Sequence, residues 1–317
     1  MTNVRRVAFC AVALLVVVSS AMPAAAYPFS RILKKGSEGR DVLALEIRLA
    51  GWYPRANQKA MIVNRRFGQR TRIAVEAFQR HFGLTVDGVA GSATFALLNG
   101  LEDRNGSTAH FNWREFDQNF NSSCSSQANA YAGTFGGGMV APRKVKGNVR
   151  RLMWRLEAVR AKGGSHVVGI NSAFRSLKYN QCIGGAGLSQ HMYGTAADNR
   201  MANVSNRRER NVAKRSQLSG IGCYASLSHN HFDTRIDNLD LPSSRFWWWP
   251  KRDARGRDLD AYGHPCWGEK RRRNAGVASG LDAVSSGVPG AGSVVPSARE
   301  VRAFQAAGEP EDLSGAD

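Results

Sequence analysis

The sequence is poor in acidic residues, in long apolar runs and in closely spaced cysteines. Only 25 Asp and Glu stand against 44 Lys and Arg, and the net charge of +19 predicts an anionic partner, either nucleic acid, a membrane surface or an anionic polymer. The apolar run at residues 7–18 is too short to span a bilayer, so we expect no stable membrane insertion. A hydrophobic content of 43% excludes a wholly disordered chain.

The N-terminus has the pattern of a secretory signal peptide. Arg5 and Arg6 precede the apolar run, and the alanines at 24–26 favour cleavage before Tyr27. We therefore predict that residues 1–26 are removed and that the mature protein is secreted; an uncleaved membrane anchor is the weaker alternative. Cleavage removes two arginines and no acid, which lowers the net charge from +19 to +17. Export argues against nucleic acid as the partner.

The cysteines fit an exported protein. One of the five, Cys10, leaves with the signal peptide, and the remaining four predict two disulfides. Three pairings are possible, of which we favour Cys124–Cys182 with Cys223–Cys266. Because the chain has no CxxC pair, a cysteine-rich metal site is the weaker interpretation.

The length of the chain and the distribution of its charge both indicate how it is divided into domains. The 317 residues indicate two domains, and the net charge is +7 over residues 27–100, +9 over 101–240 and +1 over 241–317. This partition predicts two basic folded units and a near-neutral end. We expect a small three-helix module at 31–100, a linker at 101–109, a second domain at 110–275 and a disordered tail at 276–317.

Periodicity and turn residues define the first module. The segment 36–41 supplies a turn and an N-cap for the first helix, Thr71 is a cap candidate for the second, and a third helix is expected to start near Ser92. The pattern Gly-x-x-Thr occurs at Gly68 and again at Gly91, which is a faint internal repeat. The apolar positions of the three predicted helices are Val42, Leu45 and Leu49; Ile73, Ala77 and Phe78; and Phe95 and Leu98.

These residues resemble the peptidoglycan-binding domain found on many cell-wall hydrolases. Glu46 is a departure, because the family usually has Gln there. The resemblance implies a module that holds the chain on peptidoglycan. Separately, the basic run 270–273 is either a solvated stretch of charge or a contact for anionic wall polymers. The matching segments are Lys35-Gly36 to Leu49, Arg66-Phe67-Gly68-x-x-Thr71, Ala77-Phe78-Gln79 and Leu84-x-Val86-Asp87-Gly88-x-x-Gly91-x-x-Thr94.

The second domain opens at His110-Phe111 and contains a metal-like pattern. His191 and Asp198 are seven residues apart, and His229, His231 and Asp233 alternate as on one face of a strand. Two imidazoles and one carboxylate give zinc three protein ligands and leave a fourth position open. Each residue taken singly has an ordinary alternative: His191 as a hydrogen-bonded histidine, Asp198 as a helix cap, and His229 with His231 as a surface pair.

Upstream of this pattern, an amphipathic helix is expected over 149–159. It ends at Gly163-Gly164, and a buried strand is expected at 166–170.

Three motifs in this domain resemble the zinc D-alanyl-D-alanine carboxypeptidase family. They are Ser172-Ala173-Phe174-Arg175-Ser176, Ser189-x-His191-x-x-Gly194-x-Ala196-x-Asp198 and His229-x-His231-x-Asp233. The resemblance implies an α+β domain with a central antiparallel sheet, in a fold shared with the hedgehog signalling domain. It implies one Zn²⁺ ion held by His191, Asp198 and His231, and a substrate-binding role for Arg175. Ser189 and Gln190 are candidates to orient ligands and substrate from around the site.

The general base departs from the family pattern. Many relatives have Asp or Glu three residues before the last histidine, where this chain has Ser228. We therefore favour His229 as the base and keep Asp233 as the second candidate, with bracing of His231 as its alternative role. Together these features predict a secreted zinc metallopeptidase of peptidoglycan stem peptides, with D-Ala-D-Ala carboxypeptidase activity foremost. A D,D- or L-Ala-D-Glu endopeptidase, or a non-catalytic zinc-containing wall-binding protein, is the alternative.

Overall fold

The computed structural model describes most of the chain between residues 28 and 269. The predicted signal peptide, the basic run 270–273 and the predicted tail 276–317 lie outside the described residues. Within the described part, no helix combines the length and apolarity needed to cross a membrane. The described residues are 28–54, 61, 63–117, 122–124, 135–237, 247–248, 250–260 and 262–269.

Three helices build the N-terminal module, as the sequence predicts. They are α1 (Arg40–Leu49), α2 (Gln69–His81) and α3 (Ser92–Gly100). Gly39, which lies in the segment predicted to cap α1, precedes that helix. Thr71, the predicted cap of α2, lies instead inside its first turn, and Gly68 precedes the helix. The fully buried side chains at the centre of the module are Leu33, Val42, Leu45, Leu49, Ala74, Val75, Phe78, Ala90 and Leu98.

The Gly-x-x-Thr repeat has a structural counterpart in two buried side chains. Glu46 accepts hydrogen bonds from the backbone N–H groups of Asn64 and Arg65, at 2.8 and 3.0 Å, and from the Thr71 hydroxyl at 2.9 Å. Gln79 makes the equivalent set of hydrogen bonds to the loop between α2 and α3. Its Oε1 accepts from the backbone N–H groups of residues 87 and 88, and its Nε2 lies 3.3 Å from the Thr94 hydroxyl. Each helix thus fixes the loop that leads into the next one.

The two halves of the chain are packed together. The segment 101–109, which we predict as a linker, has Ser107 and Thr108 fully buried, and Glu102 binds Arg48 of α1 at 2.5 Å as well as Arg150. Arg150 belongs to the long helix of the second half. Residues 101–109 are therefore part of the packed interface, and the exact domain bounds stay predictions.

The second half begins with α4 (Trp113–Phe116) and the 22-residue helix α5 (Pro142–Gly163). As the sequence predicts, α5 ends at Gly164 in a left-handed conformation. The predicted apolar face, from Val149 to Val159, packs in the core of the second half, whereas Trp154 and Ala158 complete the core of the N-terminal module. Helix α5 is therefore buried on two sides.

A five-stranded sheet packs against α5 in the order β1-β2-β4-β3-β5. It is antiparallel except at its β3–β5 edge, where the pair is parallel. The first strand starts two residues later than predicted and is only half-buried, because it lies at the sheet edge. The remaining elements are β1 (Val168–Ser172), α6 (Leu177–Cys182), β2 (Ala196–Met201), α7 (Asn206–Lys214), β3 (Gly220–Cys223), β4 (Asn230–Asp233), β5 (Trp247–Trp248), β6 (Lys251–Arg252) and β7 (Asp258–Leu259).

Both predicted disulfides are confirmed. Cys124 pairs with Cys182 at the end of α6, and Cys223 at the end of β3 pairs with Cys266. The second bond ties the segment that follows the hairpin of β6 and β7 to the end of strand β3 in the main sheet. The observed architecture is the α+β arrangement that the sequence predicts, a three-helix module followed by a sheet-containing domain.

Replacing Glu46 with Gln is expected to stabilise the folded protein at pH 7 by about 1 kcal/mol, the scale of one buried hydrogen bond. Burial raises the pKa of Glu46 despite its three donors, so the folded state favours the protonated carboxyl and stability is lost as pH rises through the folded pKa. Thermal unfolding of E46Q should show a higher Tm than wild type at pH 7 and a smaller difference at pH 4. The exposed Glu38→Gln is the control, and a lower Tm for E46Q at pH 7 would contradict the argument.

Candidate metal centre

The three predicted metal ligands meet on one side of the sheet. Asp198 on β2 and His231 on β4 are directly opposed in the antiparallel register. His191 lies on the 3₁₀ turn Gln190–Tyr193, just before β2. All three side chains are buried, and among the described residues they form the group of His, Cys, Asp and Glu side chains that could hold a metal ion.

The separations of the ligand atoms fit a tetrahedral zinc ion. His191 Nε2 lies 3.2 Å from His231 Nδ1 and 3.5 Å from Asp198 Oδ1, and the last two atoms are 3.1 Å apart. Bonds of about 2.0–2.1 Å at a tetrahedral angle require ligand atoms roughly 3.3–3.4 Å apart. The donor set of two imidazoles and a carboxylate, with the measured spacing, is therefore suited to zinc.

The opposite nitrogen of each histidine ring is held by a hydrogen-bond acceptor. His191 Nδ1 donates to the carbonyl oxygen of Ala173 at 2.7 Å, and His231 Nε2 donates to Asp233 Oδ2 at 3.1 Å. These acceptors place the ring protons away from the cluster, so His191 Nε2 and His231 Nδ1 keep their lone pairs for a metal. Such outer partners are typical of metal-binding histidines.

The electrostatics of the cluster favour a bound cation. Burial and the nearby Arg175 lower the pKa of His191 to about 4, so its ring is neutral at neutral pH. Burial lowers the pKa of His231, but hydrogen bonds to Asp198 and Asp233 outweigh that effect and raise it. Burial raises the pKa of Asp198, but the two histidines and Arg175 reverse this and hold it well below its usual range.

Arg175, the predicted substrate-binding residue, lies against a metal ligand. Its Nη2 donates to Asp198 Oδ2 at 2.9 Å, and its Nε donates to the Ser172 hydroxyl at 3.0 Å. Asp198 therefore directs Oδ1 to the cluster and Oδ2 to the arginine. The hydroxyl of Tyr224, which the sequence analysis did not single out, lies 3.4 Å from Asp198 Oδ1.

Ser189 and Gln190 are buried in the loop that carries His191. The side-chain Oε1 of Gln190 accepts from the Thr195 hydroxyl at 2.6 Å, and its backbone carbonyl accepts from the same hydroxyl at 3.0 Å. The carbonyl oxygen of Ser189 accepts a hydrogen bond from the N–H of Met192 at 3.0 Å. These contacts hold the turn in front of β2 and so fix the position of His191.

Asp233, the second candidate base, lies behind His231. It contacts the Nε2 side of that ring, whereas Nδ1 faces the other ligands. Arg235 donates to both of its oxygens, with a shortest distance of 2.6 Å, and Asp233 is fully buried. This geometry favours bracing of His231, the alternative role considered from the sequence, over proton transfer at the open side of the site.

His229 lies just before β4 and not within it. Its ring packs edge-on against Tyr224 with the centroids 5.2 Å apart. Burial lowers the pKa of His229, so its imidazole is neutral at neutral pH and able to accept a proton. The predicted strand face therefore holds His231 and Asp233, with His229 beside the site on the preceding loop.

Sequence reasoning missed three residues of this arrangement. Tyr224, and Gly220 which lies opposite Asp233 on β3, gave no local signal, because their contacts depend on the pairing of β3 with β4. Arg235 could have been found, since the alternation that places His231 and Asp233 on one face continues to it. The structure brings His191, Asp198 and His231 together and places the other predicted residues around them, while the roles of all these residues stay predictions.

Comparisons with known proteins agree with both halves of the chain. Residues 124–233 match the family model of Peptidase M15, and residues 38–98 match a model described as "Putative peptidoglycan binding domain". A zinc D-Ala-D-Ala carboxypeptidase of Streptomyces albus G is 36% identical over 172 residues, which cover 54% of this chain. This chain spans 62% of the length of that relative.

Solved structures with local similarity also exist. The N-terminal domain of SleB is 37% identical, with 22% of this chain and 88% of that chain covered and a TM-score of 0.19. A peptidoglycan-binding protein from Clostridioides difficile, solved with glutamine hydroxamate, is 33% identical. That match covers 24% of this chain and 46% of that chain, with a TM-score of 0.21.

Gly194→Ala is expected to destabilise the fold by about 1–3 kcal/mol and to displace the turn that carries His191. Gly194 has φ of 73°, and a Cβ there would lie 2.8 Å from the Val145 carbonyl oxygen of α5. Chemical denaturation measures the loss. Gly187→Ala on the same loop is the matched control, because a Cβ at Gly187 meets no atom within 4 Å. Equal stability of the two variants would refute this reading of Gly194.

Proposed function

We propose that this chain, which carries a Peptidase M15 domain and a peptidoglycan-binding domain, is a secreted zinc metallopeptidase that hydrolyses peptidoglycan stem peptides. The observation that carries the proposal is the buried His191, Asp198 and His231 cluster, whose ligand atoms are 3.1–3.5 Å apart. Removal of the C-terminal alanine of a D-Ala-D-Ala stem is the activity we favour. The curated relative of Streptomyces albus G, whose name gives this activity, supports that choice.

In this proposal each side chain of the site has a distinct task. His191, Asp198 and His231 would hold one zinc ion, which when bound supplies a Lewis acid that polarises a carbonyl group and activates water. Arg175 is charged and placed beside the cluster, where its guanidinium can bind a terminal carboxylate or a developing oxyanion. Ser189 and Gln190 keep the loop of His191 in place.

We assign proton transfer to His229. Ser228 stands at the position where the family has its acidic base. The carboxylate of Asp233 is already hydrogen-bonded to Arg235 and His231. His229 is neutral at neutral pH because burial lowers its pKa, and it lies two residues before a metal ligand. Its imidazole would accept the proton of the attacking water and return it to the leaving amine.

The N-terminal module would keep the enzyme on its polymeric substrate. The match of residues 38–98 to a peptidoglycan-binding domain supports this role. The net charge of +17 that remains after removal of the predicted signal peptide supports an additional attraction to anionic wall polymers, and the signal peptide itself supports export to the cell wall. In this proposal, binding of the N-terminal module to the wall also brings the second half to the substrate, because α5 contributes to the cores of both halves.

The function is tested by incubating residues 27–317 with pentapeptide muropeptides and reading the products by mass spectrometry. We expect loss of one terminal alanine, abolition of turnover by a metal chelator and recovery on addition of Zn²⁺. His191→Ala is the matched inactive variant. Split cross-linked dimers without alanine release would establish an endopeptidase instead, and unchanged muropeptides with zinc bound would establish a non-catalytic wall-binding protein.

His229→Ala is expected to lower kcat by about 10²–10⁴-fold while the protein keeps its zinc, because the variant removes the proton acceptor and none of the ligands. Kinetics on the pentapeptide and metal analysis of the same sample separate the two effects. His264→Ala, whose side chain is 68% exposed, serves as the control histidine. Full activity in His229→Ala would sink the assignment.

A further inference from the structure

A second buried ion pair lies directly behind the metal centre. His231 Nε2 donates to Asp233 Oδ2 at 3.1 Å. Arg235 then surrounds the same carboxylate: its backbone N–H donates to Oδ1 at 3.0 Å, its Nε lies 3.0 and 3.1 Å from Oδ1 and Oδ2, and its Nη2 donates to Oδ2 at 2.6 Å. The three residues are all at most 8% exposed.

We propose that Arg235 is a positioning residue of the metal centre, which acts through Asp233 to fix the ring of His231. The inference rests on the proposed function only in taking zinc as the metal. It assigns to Arg235 no contact with substrate or metal. Its effect is on how His231 presents Nδ1 to the ion.

Burial of the Asp233 carboxylate carries a free-energy cost that its partners must offset. A buried carboxylate without a counter-charge is strongly unfavourable, whereas a paired and hydrogen-bonded one is tolerated. The planar guanidinium of Arg235 contacts both carboxylate oxygens, so it fixes the plane of the carboxylate as well as its charge. A lysine at this position would supply the charge without the fork.

The fixed carboxylate then determines the orientation of His231. Because Oδ2 points at Nε2, the ring proton stays on Nε2 and the lone pair of Nδ1 faces Asp198 Oδ1 and His191 Nε2. Without Arg235, we expect Asp233 to leave its position. His231 would then lose the partner that selects this tautomer and ring angle.

Gly220 supplies an independent observation. It lies opposite Asp233 on the neighbouring strand β3, and a Cβ built on it would lie 2.0 Å from Asp233 Oδ2. Its φ lies outside the left-handed region, so space and not backbone conformation requires glycine here. The backbone of Ser219 also holds Asp233, since its N–H donates to the Asp233 carbonyl at 2.8 Å. The sheet therefore reserves room for this carboxylate.

The first test measures zinc affinity by competition with a chromophoric chelator, without reference to activity. Arg235→Met is expected to bind zinc about 10–100-fold more weakly, as for other losses of outer-layer support, and Arg235→Lys should fall between it and wild type. Arg48→Met is the matched control, because Arg48 is an equally buried arginine paired with Glu102 in the N-terminal module. The control should lower the Tm and leave zinc affinity unchanged.

A double-mutant cycle separates positioning from general destabilisation. If Arg235 acts only through Asp233, the double variant Arg235→Met/Asp233→Asn should bind zinc no more weakly than Asp233→Asn alone. Independent effects would instead multiply. Multiplication of the two losses in the cycle would overturn the proposal.

Gly220→Ala tests the same carboxylate from the other strand and does not remove a charge. The added methyl group should displace Asp233 and reproduce the zinc loss of Arg235→Met. Gly169→Ala on β1 is its control, because the nearest atom to a Cβ there is 3.9 Å away. Should Arg235→Met fail to fold, Gly220→Ala and Arg235→Lys still decide the matter.

Wild-type zinc affinity in folded Arg235→Met, or in folded Gly220→Ala, would refute the inference. Its failure is distinguishable from failure of the proposed function. A wild-type protein that binds zinc tightly but leaves every muropeptide intact would disprove the peptidase activity and leave the positioning role of Arg235 measurable.

Discussion

The pairing of β2 with β4 is the constraint on which the site depends. In this register Asp198 faces His231, and Ala196 faces Asp233. A slip of one residue would turn Asp198 to the opposite face of the sheet and separate it from both histidines. The surrounding structure holds this register from several sides: α5 packs beneath the sheet, and the turn before β2 closes over it with His191.

Helix α5 carries that constraint into the rest of the chain. One face supports the sheet, while Trp154 and Ala158 fill the core of the N-terminal module. At Gly51 the two halves approach so closely that a Cβ would lie 2.7 Å from Ala158 Cβ, and Lys162 donates to the Gly51 carbonyl at 2.7 Å. The N-terminal module is therefore packed on the second half in a defined orientation, unlike a domain held by a free linker.

Local patterns in the sequence predict individual elements and residues, whereas contacts between distant segments are not visible in them. Strand alternation identified His231 and Asp233, and the glycine at the end of α5 predicted its C-terminus. The burial of Trp154, by contrast, depends on a second partner that periodicity in one helix does not reveal. For the same reason the polar composition of 101–109 predicts a linker and gives no sign that Thr108 is fully buried. The space that Gly220 leaves for Asp233 likewise depends on the pairing of β3 with β4, which the local pattern around Gly220 does not reveal.

The charges around the proposed zinc site bear on the kind of substrate it would take. Asp198 and Asp233 carry two negative charges, Arg175 and Arg235 carry two positive ones, and metal-binding imidazoles are neutral. These side chains therefore sum to zero, and a divalent ion leaves the buried site with an excess of two positive charges. Such an excess favours an anionic group close to the scissile bond. A stem peptide with a free C-terminal carboxylate supplies that charge next to the bond. The electrostatics thus fit a substrate that carries a carboxylate beside the scissile bond, on physical grounds that are separate from sequence similarity.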